Sequence, residues 1–388
     1  MYSLFKLFKF IFYIIFLINS ISCYSPSERY YHNSVIIDDR LLIIAGLKFD
    51  TENSNTNELF YLDLSNPFDN INDTNLPWNL IHKGNLPINA WSSTSIVSVD
   101  NSTIFLIGGY IKNINANDFD FSHQVYTYSI SNSNWTIPFI NGVSVPVRQS
   151  TMGVINKSGI IYLFGGFNVI NPKDSSGNLH NEMNTLDISS MTWSTLSITK
   201  NIPPLSSDYS ACILPSGIII YIGGQELSTL VNMKSIKLFD TNNDEWSYMT
   251  ATGSVVDPRW NFASVLTPDG NIIIFGGCTF GYSRVMPNLA LLNTSKYPYE
   301  WSIPSNSNVN STPPSIYGHT ANLYYNYMII TFGFDIDNKI YNNKVYLYNI
   351  KDNKWVSSFN PNPTSSSSHN FIKPLLIGLG AGICNGHK

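Results

Sequence analysis

Charge is what this sequence has least of. Asp, Glu, Lys and Arg make up 12% of its 388 residues, about half the roughly 25% usual in soluble domains. The formal net charge of -4 leaves no basic footprint, which sets nucleic acid aside as a partner. Cysteine is scarce as well: four residues in the chain cannot build a dense disulfide framework. The N-terminal apolar run, Phe10 to Ile18, is nine residues long, half the roughly 18–20 that a membrane-spanning helix needs. Between residue 22 and the C-terminal tail no segment carries a 3.6-residue period, and there are no heptads, so helical and coiled-coil architectures are excluded. The chemical signatures are missing too. There is no Gly-x-Gly-x-x-Gly after a strand, no Walker loop, no His-Glu-x-x-His, no Gly-x-Ser-x-Gly and no Cys-x-x-Cys.

Aromatic residues are abundant instead, with 23 Tyr, 22 Phe and 8 Trp, and that excludes a disordered chain. The two ends stand apart from the rest. Residues 1–22 read as a secretory leader: Lys6 and Lys9 precede the apolar run, and Ser20-Ile21-Ser22 offers small residues for cleavage before Cys23. Residues 360–373, rich in Ser, Pro and Asn, read as a flexible linker. Residues 374–388 form a short apolar tail, too short to cross a bilayer of roughly 30 Å as a helix. They resemble the start of a truncated transmembrane segment, through which the chain would associate with a membrane.

Between these ends one pattern recurs six times. A β-branched run ends in glycine at Gly46, Gly109, Gly166, Gly224, Gly277 and Gly333, spaced by 63, 57, 58, 53 and 56 residues. Each glycine is followed, 22 to 32 residues on, by one tryptophan: Trp78, Trp135, Trp193, Trp246, Trp301 and Trp355. In four copies an aromatic residue or Leu precedes that Trp by seven: Tyr128, Leu186, Phe239 and Tyr348. Each copy unpacks into four strands. A mixed first strand such as Ser210–Leu214 is followed by a tight turn such as Pro215-Ser-Gly217. The apolar second strand lacks alternation, as expected when both faces are covered. A third strand such as Lys344–Asn349, a polar turn, and a fourth strand opening at the Trp complete it. Small sheets repeated about every fifty residues bury both faces if they pack radially. The expected fold is all-β, a six-bladed propeller of four antiparallel strands per blade, over residues 24–359. The blades run about 29–89, 90–147, 148–206, 207–258, 259–316 and 317–359.

A strand ending Gly-Gly, a later Tyr and a Trp resembles the kelch repeat family, over about residues 29 to 358. Ala45-Gly46 and Phe332-Gly333 depart from it by lacking the first glycine. The arginine that often opens such repeats is present as Arg29, Arg148 and Arg259.

In up-and-down blades, the loops joining strands two and three share one face with the connectors between blades. That face carries the long segments Ile111–Ser122, Asn168–Asn181 and Thr279–Asn288, with the connectors Thr136–Val147 and Ser302–Ile316. Function concentrates on such loops. Candidate ligand contacts there are Phe49, Asp50, Tyr110, Lys112, Phe167, Glu226, Phe280, Tyr282, Arg284, Asp335 and Asp337, with Trp91 and Trp260 at the blade starts. His32 and His319 each precede their blade's last glycine by 14 residues, with Tyr31 and Tyr317 nearby. They are the candidate metal ligands of an alternative reading, a copper radical oxidase resembling galactose oxidase. That chemistry also needs a Cys beside a Tyr near the axis, and neither Cys212 nor Cys278 is clearly placed for it. Two histidines alone do not make a metal site. If the chain is secreted, Asn72, Asn101, Asn134, Asn156, Asn293 and Asn310 are candidate glycosylation sites. Cys212 and Cys278 are expected as buried free thiols. The leading expectation is a monomeric, cofactor-free, non-enzymatic binding scaffold, secreted or on the outer face of the cell membrane. Its partner would be a protein or a carbohydrate, held on the long-loop face. A purely structural repeat protein is the remaining alternative.

Overall fold

The computed structural model describes residues 24–48, 56–70, 76–115, 118–171, 176–305, 312–361 and 382–383. Every regular element among them is a β-strand. In blade 1 the strands Asn33–Ile37, Arg40–Ile44, Leu59–Asp63 and Trp78–Leu80 pair antiparallel in sequence order. The same order recurs in five further sheets among the described residues, whose fourth strands each contain one of Trp135, Trp193, Trp246, Trp301 and Trp355. The second strands are buried after their first residue, which is why their sequences do not alternate. The first strands of blades 1 and 2, 3 and 4, 4 and 5, and 5 and 6 touch, and that of the last blade touches that of the first.

Each indole wedges a blade against the one before it. Trp135 Nε1 donates to Gly84 O at 2.7 Å and Trp301 Nε1 to Met233 O at 2.8 Å, so the buried polar edge of these two rings is satisfied. Trp246 packs on Phe164 with ring centroids 4.7 Å apart, and Trp355 on Phe275 at 5.1 Å. Trp78 of blade 1 stacks on Phe332 of blade 6 at 5.5 Å, repeating the same relation across the closing seam.

Among the described residues closure uses no exchanged strand. Each blade draws its four strands from one continuous stretch of chain, and the last seam carries the same backbone bonds as the others. One set runs from the second glycine of a blade to the segment leading into the next. Gly46 N donates to Ala90 O, Gly109 N to Arg148 O, Gly224 N to Arg259 O, Gly277 N to Ile316 O and Gly333 N to Arg29 O, all at 2.8–2.9 Å. A second set links the residues that precede the first strands. Tyr31 N donates to Gly318 O, Ser92 N to Tyr31 O, Ser150 N to Ser92 O, Asp208 N to Ser150 O and Gly318 N to Asn261 O, at 2.7–3.1 Å. On the outside of the seam Ser358–Phe359 pairs with Phe68–Asp69, and the Phe68 and Phe359 rings stack at 4.8 Å.

The two repeats without a first glycine show what each glycine does. Ala45 and Phe332 adopt φ of 55° and 58°, like Gly108 at 66° and Gly165 at 57°. This is the left-handed region, which an L-residue enters at a cost of roughly 1–2 kcal/mol. The second position is harsher. Gly46 sits at φ 105°, and a Cβ there would lie 2.7 Å from His32 Cβ and 3.1 Å from Tyr30 O. Ala45→Gly is therefore expected to be neutral or to stabilise by up to about 1 kcal/mol. Gly46→Ala is expected to destabilise by roughly 1–3 kcal/mol. Urea denaturation midpoints of the two variants check the contrast.

Two expectations about loops are corrected. Asn168–Asn181 is largely strand: blade 3 extends its second and third strands as Ile160–Asn171 and Ser176–Asp187, with register shifts at Phe164/Gly166 and Val169/Asn171. The bulge at the glycines lets the ladder resume beyond them. The connectors are partly ordered as well. Asn141–Gly142 pairs with Thr192–Trp193, and Thr252–Gly253 with Glu300–Trp301, both in parallel, capping outer edge strands that would otherwise be open. The expected leader, residues 1–22, lies outside the described residues, as do most of the linker and tail. From the tail, Gly382–Ile383 pairs in parallel with Cys212–Ile213 of the first strand of blade 4.

Candidate functional site

On the long-loop face, the segment leading into each blade pairs antiparallel with the segment that follows its glycines. Arg29–Tyr30 pairs with Leu47–Lys48, Ile88–Trp91 with Tyr110–Asn113, Ser206–Ser207 with Gln225–Glu226 and Ile316–Tyr317 with Phe334–Asp335. Single bridges, Gln149 to Phe167 and Trp260 to Cys278, take their place in blades 3 and 5. These six ribbons surround the axis and set the side chains of the face.

Aromatic rings collect on one side of it. In blades 5, 6 and 1, Trp260 meets Phe280 at 5.0 Å and Tyr282 at 6.0 Å; Tyr282 meets Tyr317 at 5.3 Å; and Tyr317 lies 6.5 Å from Tyr30 and 6.3 Å from Tyr31. Phe334 and Tyr341 back this group, with Tyr341 4.8 Å from Tyr30. In blade 2, Trp91 stacks on Tyr110 at 5.3 Å, and Lys112 Nζ lies 4.9 Å from the centre of the Phe119 ring. Tyr282 is 50% exposed and Phe280 39%, while the others are half-buried or covered. Together the two groups make a crescent over four consecutive blades, with rings fixed by their neighbours and edges or faces open to a partner.

Inside the crescent the axial channel opens into a cavity of about 150 Å³. One residue from each blade stands at its mouth, immediately before the first strand: Tyr31, Ser92, Ser150, Asp208, Asn261 and Gly318. All six are left-handed, with φ between 51° and 64°. They are also the residues joined by the second set of interblade hydrogen bonds. The backbone thus fixes a sixfold ring of positions whose side chains are free to differ. Asn261 Nδ2 donates to Tyr31 Oη at 3.1 Å across the mouth, and Ser207 Oγ donates to Asp208 Oδ2 at 2.6 Å. Burial raises the Asp208 carboxyl to about 6, against the opposing pull of hydrogen bonds from Ser207 and Ser150.

His32 and His319 lie deeper in the same cavity. His32 Nε2 is shared between Thr320 Oγ1 at 2.9 Å and Thr331 Oγ1 at 3.1 Å. The His319 ring packs edge-on against Phe275 at 5.5 Å. Burial holds both imidazoles neutral, His32 well below its usual range and His319 at about 3. Among the described residues no three His, Cys, Asp or Glu side chains converge.

Comparison with known proteins agrees with this geometry. The profile of the KLHDC2/KLHL20/DRC7 Kelch-repeats domain matches residues 18–224, more than half of the chain, and that of the Attractin/LZTR1 beta-propeller matches residues 154–372. The chain belongs to the kelch-repeat β-propeller family. Acyl-CoA-binding domain-containing protein 5 of Arabidopsis thaliana is 24% identical to this kelch chain over 65% of it and 36% of the relative. Human Kelch domain-containing protein 3 is 26% identical over 53% of this chain and 52% of its own length. The chain therefore spans between about a third and a half of these curated relatives. Among solved structures, that of YjhT superposes with a TM-score of 0.62 at 14% identity, covering 87% of this chain and 99% of the other, a likeness of fold.

The kelch scaffold sorts the residues that the sequence singled out. It gathers Trp260, Phe280, Tyr282, Trp91, Tyr110 and Lys112 into the crescent. Phe167 stands apart on blade 3, bridged to Gln149. Arg284 Nε pairs with Asp337 Oδ1 at 2.8 Å beside the crescent. Glu226 is held by the buried Lys237 at 2.7 Å. Asp335 is buried and accepts from Asp337 N, Asn338 N and Asn338 Nδ2, so it organises a turn and is not presented to a ligand. Phe49 and Asp50 lie outside the described residues, as do Asn72 and Asn310. Arg29, Arg148 and Arg259 are buried, and Arg259 donates to Asp257 O, Gly276 O and Met286 O, the structural role expected of it. Cys212 and Cys278 are buried and are not joined to each other. Burial pushes the Cys278 thiol up to about 12, and it lies beneath Tyr282 and Tyr317, close enough to influence both phenols.

Sequence reasoning missed Asp208, Asn261, Ser92 and Ser150. The signal was present in their spacing, since each residue of the mouth ring precedes its blade's last glycine by 15 to 17 residues.

Proposed function

We propose that this kelch propeller is a binding scaffold that captures a protein partner on the long-loop face, outside the cell. The aromatic crescent carries the reading. Rigid Tyr, Trp and Phe side chains, with Arg284 and Lys112 at the margin, have the composition of interface hot spots. The crescent's spread over four blades is wider than a single sugar ring would use, and this favours protein over glycan. The extracellular setting rests on the sequence of residues 1–22.

Immobilised protein, with binding measured on material from the native extracellular medium, tests this. Tyr282→Ala and Tyr110→Ala are each expected to weaken capture by about 2 kcal/mol, roughly thirtyfold in Kd, with the thermal midpoint unchanged. Phe167→Ala, outside the crescent, is expected to leave capture as it was. Capture that survives both tyrosine changes, or is removed by glycosidase treatment of the partner alone, counts against the protein reading. For the extracellular setting, Asn134 is the best test. It is exposed, whereas Asn101, Asn156 and Asn293 are half-buried, and the last two accept backbone hydrogen bonds in turns. Enzymatic deglycosylation of the native protein is expected to increase its mobility, and Asn134→Gln to remove most of that shift.

A further inference from the structure

The mouth of the axial channel adjoins the crescent, shares Tyr31, Tyr110 and Tyr282 with it, and has a one-sided chemistry of its own. Of the side chains that line the cavity, Asp208 alone carries charge at neutral pH. Tyr31 and Tyr209 are phenols raised by burial, and His32 and His319 are held neutral by it. Four other acids on this face have cationic neighbours: Glu58 has Arg29 and Lys48, Glu182 has Arg148, Glu226 has Lys237, and Asp337 has Arg284, while Asp335 is taken up by three turn donors. Among the described residues Asp208 has no Lys or Arg partner. Its hydrogen-bond donors are neutral serines.

Tyr31 lines the cavity with this carboxylate, Tyr110 stacks on Trp91 next to the mouth residue Ser92, and Tyr282 meets Tyr317, whose ring lies 6.3 Å from that of Tyr31. Burial raises the phenols of Tyr31, Tyr110 and Tyr282, and the negative charge of Asp208 adds to each, which places all three within its field. Cys278 feels the same charge. Tyr31 and Tyr282 both hold φ above 50°, an uncommon conformation for a bulky side chain that persists only where the surroundings over-determine it. The remaining positions at the mouth supply hydroxyl and amide oxygens from Ser92, Ser150 and Asn261. The cavity of about 150 Å³ has room for roughly five waters.

We propose that the channel mouth is a binding site for a small alkylammonium group, with Asp208 as counter-ion and the faces or edges of Tyr31, Tyr110 and Tyr282 as an aromatic wall. The combination satisfies such a cation twice over. A charge-assisted hydrogen bond to the carboxylate is among the stronger polar contacts, and the negative faces of aromatic rings attract an ammonium once water is displaced. An anion is repelled by the same residues, and a neutral polyol gains nothing from the charge. The ammonium enters either as a free amine or as the side chain of a bound partner; the chemistry at Asp208 is the same. Binding also displaces the proton that Asp208 holds below about pH 6, so affinity falls on acidification. The titratable groups that feel the charge of Asp208 are Tyr209 beside it on blade 4, Tyr282 and the Cys278 thiol on blade 5, Tyr31 on blade 1 and Tyr110 on blade 2. All of them are shifted upward, and the histidines of the cavity are shifted downward, so none of them titrates with Asp208.

The test is a titration of the full-length protein with n-butylammonium, followed by calorimetry and by tyrosine and tryptophan fluorescence, beside n-butanol and glucose as uncharged probes. n-Butylammonium is expected to bind at least tenfold more tightly than either neutral probe. Asp208→Asn and Tyr282→Ala are each expected to weaken it tenfold or more, and a change from pH 7.5 to pH 5 is expected to weaken it about tenfold in the wild type and not in Asp208→Asn. Equal affinity for n-butanol, tighter binding of glucose, an unaltered Asp208→Asn, or no saturation by n-butylammonium overturns the proposal. Competition of n-butylammonium with captured partner identifies the partner as the source of the cation, and binding without competition identifies a free amine. Tyr282 belongs to both surfaces, so Asp208→Asn and the small probes separate them: failure of n-butylammonium to bind leaves protein capture by the crescent standing, and failure of capture leaves this site standing.

Discussion

Arg29→Ala is expected to lower stability by about 3–5 kcal/mol, the range for removing one member of a buried ion pair. Arg29 is fully buried at the seam between the last blade and the first. Its Nη1 donates to Ala45 O at 3.1 Å, its Nη2 to Glu58 Oε2 at 2.8 Å, and its guanidinium lies 4.4 Å from the centre of the Phe60 ring and 5.7 Å from that of Phe332. Truncation leaves the Ala45 carbonyl without its side-chain donor, removes one of the three donors to Glu58, which keeps Lys48 and Tyr24, and opens a void between two aromatic rings. Arg29→Lys is expected to recover little, because an ammonium cannot bond forkwise or stack as a guanidinium does. Burial works to raise the Glu58 carboxyl, but hydrogen bonds from Lys48 and Arg29 outweigh it and hold the group down at about 2. A depressed carboxylate stabilises the folded state above its ordinary value of 4.5 and loses that contribution as the pH falls toward 2. The gap between wild type and Arg29→Ala should therefore narrow over that interval. Urea denaturation at pH 7 and at pH 3 measures it, and a loss below about 1 kcal/mol at pH 7 would show that the seam does not depend on this residue.

Asp208→Asn should act in the opposite direction and stabilise the fold at pH 7 by up to about 3 kcal/mol, the free energy equivalent of its pKa displacement. The sign follows from the shift. The Asp208 carboxyl stands at about 6 in the folded chain against an ordinary 3.8, so the folded state binds a proton that the unfolded chain has already released. The charge is a penalty at neutral pH, one that disappears as the pH drops below 3.8. Asparagine keeps an oxygen for the Ser207 hydroxyl and removes the charge. The two proteins should be equally stable near pH 3.5 and diverge through pH 6. Equal stability at both pH values would mean that the carboxylate is better solvated than its position indicates. A residue that weakens the fold while facing a cavity is what a binding role would retain.

The architecture was legible because it repeats. Strand-ending glycines and wedging tryptophans return at similar intervals, and six returns of a backbone requirement cannot be confused with local composition. The mouth ring is equally regular, yet it went unread, since its residues are Tyr, Ser, Ser, Asp, Asn and Gly, and in a chain full of Asn and Ser no residue type draws the eye. What those positions share is a left-handed backbone, and a sequence shows such a backbone only where glycine marks it. Asp335 was misread for the complementary reason: an acid on a functional face looks available until its three turn donors are seen. Asn168–Asn181 looked like loop because the chain passes through two glycines, where a bulge preserves the ladder. Ring closure was out of reach, because it rests on pairs such as Tyr31 with Gly318 and Phe68 with Phe359, almost three hundred residues apart.

The six left-handed positions at the channel mouth carry an evolutionary consequence. Their main-chain bonds hold the assembly together whatever side chain is attached, so selectivity is written in a short alphabet of six letters on a frame that does not read them. A lineage can exchange Asp208 for a neutral or basic residue in a single step and acquire a different guest without rebuilding its container.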